Sequence, residues 1–204
     1  MKRRLRVNLQ ESRDAMDALE ALITRASPRG LAEPAPDDAA LRRMLAAAVA
    51  APDHGRLRPW RFIAVRGDAR HQLGEVLAQA LRAREPAIPD ILVAKEREKP
   101  LRAPLVLVAA AKLLAEHKIP TVEQIIASGA AAQNLMVAAH ALGYGGFWRT
   151  GAPAYDARVK AALGLAESDH IIACLYLGTP AGGPLTLDRP APESCLVAWR
   201  GPAG

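Results

Sequence analysis

From Met16 onward the chain alternates between stretches with apolar residues at helical spacing and short runs that are apolar throughout. Met16-Asp-Ala-Leu-Glu-Ala-Leu-Ile23 has the spacing of a short amphipathic helix and ends in the turn Arg25-Ala-Ser-Pro-Arg29-Gly30. Pro34-Ala-Pro36 then leads to Asp37 and Asp38, either of which suits the N-cap of a helix running to about Ala50. Trp60-Arg-Phe-Ile-Ala-Val65 reads as a strand, Gly67-Asp68 as a turn with a helix cap, and residues 69–84 return to helical spacing. Leu105-Val-Leu-Val-Ala-Ala110 and Ile171-Ile-Ala-Cys-Leu-Tyr-Leu177 are short apolar runs with β-branched residues, as buried strands require. Between them lies the longest helical pattern, Thr121 to Leu142, with Thr121 as its cap. A strand near Tyr144–Trp148 and a helix near Asp156–Leu163 follow.

Two segments break this rhythm. Residues 85–102 carry prolines at 86, 89 and 100 and mixed charge, which predicts a loop or short helix able to act as a lid. The tail after Gly178 has five prolines and no period, and suits wrapping around a neighbouring subunit. Residues 1–15 are polar and weakly patterned and are read as an N-terminal extension, with residues 16–204 forming one domain. Strands that alternate with helices point to an α/β or α+β sandwich around one sheet, without fixing strand order.

Composition narrows the function classes more than the fold. Half of the 204 residues are apolar, so a sizeable core is available. Aromatic residues make up only 4%, and helices must therefore pack largely through small side chains. The net charge is +6, but the arginines are scattered, with a single basic cluster at Lys2-Arg3-Arg4-Leu-Arg6. A nucleic-acid surface would show a basic stripe interleaved with aromatics, and none is visible. No apolar run reaches the roughly 18 residues of a membrane span. No hydrophobic stretch follows the basic N-terminus as a secretory signal would require, so a cytoplasmic protein is expected. Cys174 and Cys195 fit neither a disulfide framework nor a metal site, and Cys174 reads as a small core hydrophobe.

Several familiar chemistries are missing. Gly143-Tyr-Gly-Gly146 follows a helix and precedes a strand, the reverse of a dinucleotide-binding turn. There is no phosphate-binding P-loop and no G-x-S-x-G nucleophile elbow. The five histidines are dispersed, so no metal is expected. A chain without an evident nucleophile, base or metal points to a bound organic cofactor.

Three clusters carry the remaining chemical signal. The first is the loop Ala51-Pro-Asp-His-Gly-Arg-Leu-Arg-Pro-Trp60, which is rigid and offers one imidazole and two guanidiniums. An anionic ligand with a flat ring would suit it, although a prolyl turn capped by a buried Trp is the plainer reading. The second is Arg25, Ser27 and Arg29, two guanidiniums and a hydroxyl that can converge on one phosphate. Cations placed against the end of a helix dipole would give the same pattern. The third is Gly145-Gly-Phe-Trp148-Arg149-Thr150-Gly151.

Taken together and in this order, the clusters resemble the FMN-dependent nitroreductase family, in particular its compact YdjA-type members. The early R-x-S turn, the A-P-D-H loop followed by P-W, the G-G-x-W-R-T-G segment and the closing Leu175-Tyr-Leu-Gly-Thr-Pro180 all match, over about residues 16–185. The resemblance implies an α+β nitroreductase-like sandwich, a central mixed sheet flanked by helices, and a homodimer with FMN at each subunit interface. It implies that Arg25 and Ser27 hold the phosphate, with Ala26 contributing main chain only, and that Arg29 reaches the pyrimidine side of the flavin. Pro52, Asp53 and His54 would come from the partner subunit, and Trp148, Arg149 and Thr150 would complete the pocket. The implied activity is ping-pong, two-electron reduction of nitroaromatics, quinones or similar small acceptors by NADH or NADPH, with no protein group acting as catalytic acid. Other flavin chemistry on the same fold (dehalogenation or flavin fragmentation) and a non-catalytic basic binding module are the alternatives. Ala26, Gly30 and Ala50 stand where relatives commonly carry basic residues, which implies looser FMN retention.

Overall fold

The computed structural model describes residues 16–183, 185 and 187–201; the N-terminal extension expected at 1–15 lies outside them. The first helix, α1 (Ala18–Thr24), starts where Asp17 accepts hydrogen bonds from the backbone N–H groups of Leu19 and Glu20. A three-residue strand, β1 (Gly30–Ala32), follows the arginine turn. Asp37, not Asp38, then caps α2 (Asp38–Ala48), accepting from the Ala40 N–H. After the polar loop come β2 (Trp60–Arg66), α3 (Ala69–Arg84) and α4 (Asp90–Arg97). The chain continues through β3 (Leu105–Ala111), α5 (Thr121–Ala141), β4 (Gly145–Arg149), α6 (Ala157–Ala162) and β5 (His170–Ala181).

β5 is the axis of the sheet. Its residues 174–177 pair with β3 along one edge and with β4 along the other, and its last residues pair with β1; β2 closes the sheet beyond β3. Among the described residues every pairing is antiparallel, which corrects the mixed sheet implied by the resemblance. The reason lies in the connection. Helix α5 carries the chain from β3 to β4, which run the same way, and β5 fills the gap between them in the opposite direction.

Two cores follow from the alternation of strand side chains. Leu105, Leu107, Ala109, Ala173, Leu175 and Leu177 face α2 and α5, whereas Val106 and Val108 face α3 and α6. β3 is therefore buried on both faces, as its unbroken apolar run predicts. A register shift between Ala109 and Ala110 lets Ile171 and Cys174 share the α3 side although they are three residues apart. The Gly145-Gly146 pair has a packing role. A Cβ on Gly145 would lie 2.7 Å from Leu31 and 2.8 Å from Pro28, and one on Gly146 would lie 2.7 Å from Met136 of α5. The absence of side chains there is what lets β4 sit against both the arginine turn and the long helix.

Segment 85–102 forms α4 and a further helical turn, Lys99–Arg102, packed on α3 with Val93, Glu96 and Pro100 buried. Of the two expectations for it, the short helix is the one the structure shows. The anticipated caps Asp68 and Thr121 make no side-chain capping bond. β1 has no sequence signature because three residues are too few for a period.

Candidate functional site

A cavity of about 360 Å3 opens where β1, the end of β4 and the α3–α4 layer meet. Phe147, Cys174 and Tyr176 form its floor; Leu77, Leu81 and Arg84 of α3 form one wall, and Pro28, Arg29 and Thr150 lie at the rim. Five cations line it (Arg29, Arg84, Lys99, Arg102 and Arg149) against the carboxylates of Glu85 and Glu96. Two of these cations are committed elsewhere: Arg84 donates to Asp156 at 2.8 Å, and Lys99 Nζ lies 2.5 Å from Glu96 Oε2. Burial alone would raise the Asp156 carboxyl, but hydrogen bonds from Arg84, Arg158 and Val159 outweigh it and hold the group below the usual carboxylate range. Arg149 sits 4.2 Å above the Phe147 ring, a cation–π contact that fixes its guanidinium over the floor. Among the described residues Arg29 and Arg102 form no ion pair, which leaves the cavity positive.

The floor is chemically quiet. Burial pushes the Cys174 thiol up to about 11, so it stays protonated and unreactive. Burial, with Cys174 and Glu96 nearby, pushes the Tyr176 phenol up to about 12 against the pull of Arg102 and Arg149. At neutral pH that hydroxyl is a hydrogen-bond donor and never a base.

Next to the cavity, Arg25 ends α1, half-buried. Arg189 from the tail folds back and donates to the Arg25 carbonyl at 2.6 Å. Burial and then the Arg189 charge hold the Arg25 guanidinium below its ordinary value. Two like charges held together in this way are unfavourable until an anion lies between them. His140 of α5, 2.9 Å from the Thr24 hydroxyl, is also held below its ordinary value, by burial first and then by Arg25, with Glu20 opposing. Ala26 is half-buried and Ser27 exposed at the crown of the turn.

The loop Pro52-Asp53-His54 lies elsewhere. Asp53 accepts the Arg58 backbone N–H at 2.7 Å, and His54 Nδ1 is 2.5 Å from Glu123 Oε2 at the start of α5. Arg56 and Arg58 take left-handed backbone angles, φ 56° and 51°, which non-glycine residues adopt at a cost. Glu123 marks this end of α5 and His140 marks the Arg25 end. At 1.5 Å per residue the two groups are about 25 Å apart. One chain thus gathers Arg29, Arg149 and Thr150 in the cavity with the Arg25–Ser27 turn beside it, and leaves Pro52, Asp53 and His54 at the far end of the helix.

Trp148 does not line this cavity. Strand alternation turns it away from the Phe147–Arg149 face, and it packs against the core on the α5 side. Sequence reasoning missed Glu96, Lys99, Arg102 and Arg189. The first three recur every third residue, a helical spacing that could have found them; Arg189 sits in a tail without any period.

The model of the Nitroreductase family matches residues 22–179. The Escherichia coli (strain K12) protein provisionally named NAD(P)H nitroreductase YdjA is 42% identical over 165 residues, covering 81% of this chain and 89% of that protein. A Haemophilus influenzae protein with a similarly provisional NAD(P)H nitroreductase name is 34% identical over 165 residues, covering 80% and 89%. Among solved structures, a nitroreductase-like family protein from Bacillus cereus shares the fold at TM-score 0.76 and 21% identity, covering 91% of this chain and 97% of its own. A provisional nitroreductase from Desulfovibrio desulfuricans, solved in complex with FMN, superposes at TM-score 0.69 with 26% identity, covering 91% and 98%. With a family model spanning most of the chain and relatives above 30% identity over most of their length, this chain belongs to the nitroreductase family.

Proposed function

We propose that the chain is an FMN-dependent NAD(P)H oxidoreductase that reduces nitroaromatics, quinones or similar flat acceptors by two electrons, in ping-pong order. The observation that carries this reading is the Arg25–Arg189 cation pair beside a positive cavity with an aromatic floor. The residues present fit the cofactor. The cation pair suits its phosphate, Ser27 adds an exposed hydroxyl, and Ala26 leaves main-chain room. Arg29, Arg149 and Thr150 suit the polar edge of the ring system, with Phe147 and Tyr176 supplying apolar contact. When bound, FMN supplies the two-electron redox chemistry between nicotinamide donor and acceptor. No side chain is assigned as a catalytic acid.

The remaining side of the site comes from a second copy. Pro52, Asp53 and His54 are too far from Arg25 in one chain, so a shared ligand takes them as His54 of the partner subunit and its neighbours. The surface for that partner is the outer face of α5. Val122, Ile126, Gly129, Gln133, Val137 and His140 follow at helical spacing, with Val122 and Ile126 exposed and open space beside Gly129. Exposed Leu19, Leu22 and Ile23 of α1 and Leu196, Val197 and Trp199 of the tail add apolar surface that a monomer would leave in water. No helix among the described residues is long and apolar enough to cross a membrane.

The test is the visible absorption spectrum of the purified protein, followed by anaerobic addition of NADH or NADPH. A flavin spectrum that bleaches is expected. A colourless protein that takes up no added FMN would overturn the reading. Product analysis with nitroaromatic, quinone and halogenated acceptors then separates nitro reduction from dehalogenation.

A further inference from the structure

The loop that carries His54 is seated on a prepared platform. Gln124, buried in the first turn of α5, clamps the segment before that helix: its Oε1 accepts the Leu114 N–H, and its Nε2 donates to the Leu114 and Ile119 carbonyls. Ile119 is buried there, and Gly55 lies directly on it, where a Cβ would collide with Ile119 Cδ1. The left-handed angles of Arg56 and Arg58 persist because such surroundings enforce them. Asp53 ties the loop together through the Arg58 N–H, and Glu123, next to Gln124 in sequence, meets His54 Nδ1 at 2.5 Å. A carboxylate oxygen only accepts, so Nδ1 carries the hydrogen. The two side chains are 67% and 41% exposed, and exposed pairs of this kind add little to stability. What the contact does fix is the orientation and the tautomer of the imidazole.

We propose that Glu123 is a positioning residue for the flavin site: it turns the His54 ring so that Nε2, on the side away from the carboxylate, is the atom a shared ligand meets. The inference rests on the FMN reading above and adds to it a residue that need not touch the cofactor. With Nδ1 committed to Glu123, the neutral ring offers a lone pair at Nε2, and the protonated ring offers an N–H there. In either state the ligand addresses the same ring atom. Glu123 and His54 belong to one chain, and that His54 completes the site of the second copy. Glu123 therefore acts on a flavin bound mainly by the other subunit.

Two measurements on the full-length dimer test this. The first is the nitrogen-15 spectrum of labelled histidine without ligand, in mildly alkaline buffer where free imidazole is neutral, with His54 assigned by its loss in His54→Ala. The wild type should show His54 protonated on Nδ1 and bare on Nε2. Glu123→Ala should return it to the Nε2–H form that free histidine favours, and Glu123→Gln, which keeps an acceptor oxygen, should retain part of the wild-type form. The second is a double-mutant cycle on FMN affinity by fluorescence titration. Glu123→Ala and His54→Ala should each weaken binding about ten-fold, and the double variant should bind no more weakly than His54→Ala alone. A wild-type His54 in the Nε2–H form would overturn the inference, and that measurement needs no variant beyond the one used for assignment. Additive losses in the cycle would overturn it too, since they would make Glu123 a separate contributor to folding or binding. Failure of the wild type to bind FMN is a different result, which removes the cofactor reading itself and this inference with it.

Discussion

Arg25→Ala weakens FMN binding about a hundred-fold while leaving the ligand-free protein as stable as the wild type or slightly more so. The two effects have opposite signs for one reason. Without an anion, Arg25 is half-buried beside Arg189 and His140, and both burial and like charge act against it. Removing the guanidinium relieves that repulsion. With phosphate present, the same guanidinium makes charge-assisted hydrogen bonds of roughly 1.5–3 kcal/mol each, and a bidentate pair accounts for the hundred-fold loss. Fluorescence titration gives the first quantity, and urea denaturation of the flavin-free protein gives the second. If Arg25 served only to complement the end of helix α1, the variant would lose stability without FMN and keep its affinity.

Ile126→Glu makes the protein monomeric and abolishes FMN retention with no change in the fold of the single chain. Ile126 is 64% exposed on the outer face of α5, so a charge there meets water in the monomer. In a two-fold interface the same substitution appears in both copies and buries two carboxylates on an apolar seam. The loss of flavin follows because the loop at Pro52–His54 reaches a ligand held by Arg25 only across that seam. Size-exclusion chromatography with light scattering reads the assembly, and the ratio of flavin to protein absorbance reads retention. A dimer that still holds FMN would show that the partner sits on another face.

How much of this was legible in the chain depends on the kind of signal each part leaves. Strand β3 announced itself because it is buried on two faces, and β5, buried on one face and half-buried on the other, because Ile171–Leu177 is apolar throughout. Asp37 caps α2 through a side-chain bond, one of the two residues the sequence offered, whereas the caps Asp17 and Asp156 were not singled out. Direction was harder. Nothing in a helix–strand alternation says that the last strand will slip antiparallel between two others, and the mixed sheet had to be corrected. At the site, the turn Arg25–Arg29 and the segment Arg149–Thr150 were visible because they are short, polar and dense in charge. Trp148 lies away from the cavity because its neighbours in sequence, one residue away on a strand, point to the other face. Glu96, Lys99 and Arg102 were hidden in a segment rich in charge and proline, where three converging side chains look like a solvated surface until α4 folds onto α3. Arg189 carried no signal, since only the path of the tail brings it to Arg25.

The central claim is that one flavin site takes Arg25 from one chain and the Pro52–His54 loop from another, and subunit complementation tests it most directly. Two inactive variants are prepared, Arg25→Ala and the double variant Asp53→Ala, His54→Ala, then mixed, unfolded together and refolded. In a two-fold dimer each mixed pair carries one site with both native halves and one with neither, so about a quarter of all sites should regain FMN and NAD(P)H-dependent activity. No recovery from two variants that each refold and dimerise would contradict the account, and would show that the Pro52–His54 loop does not complete the Arg25 site.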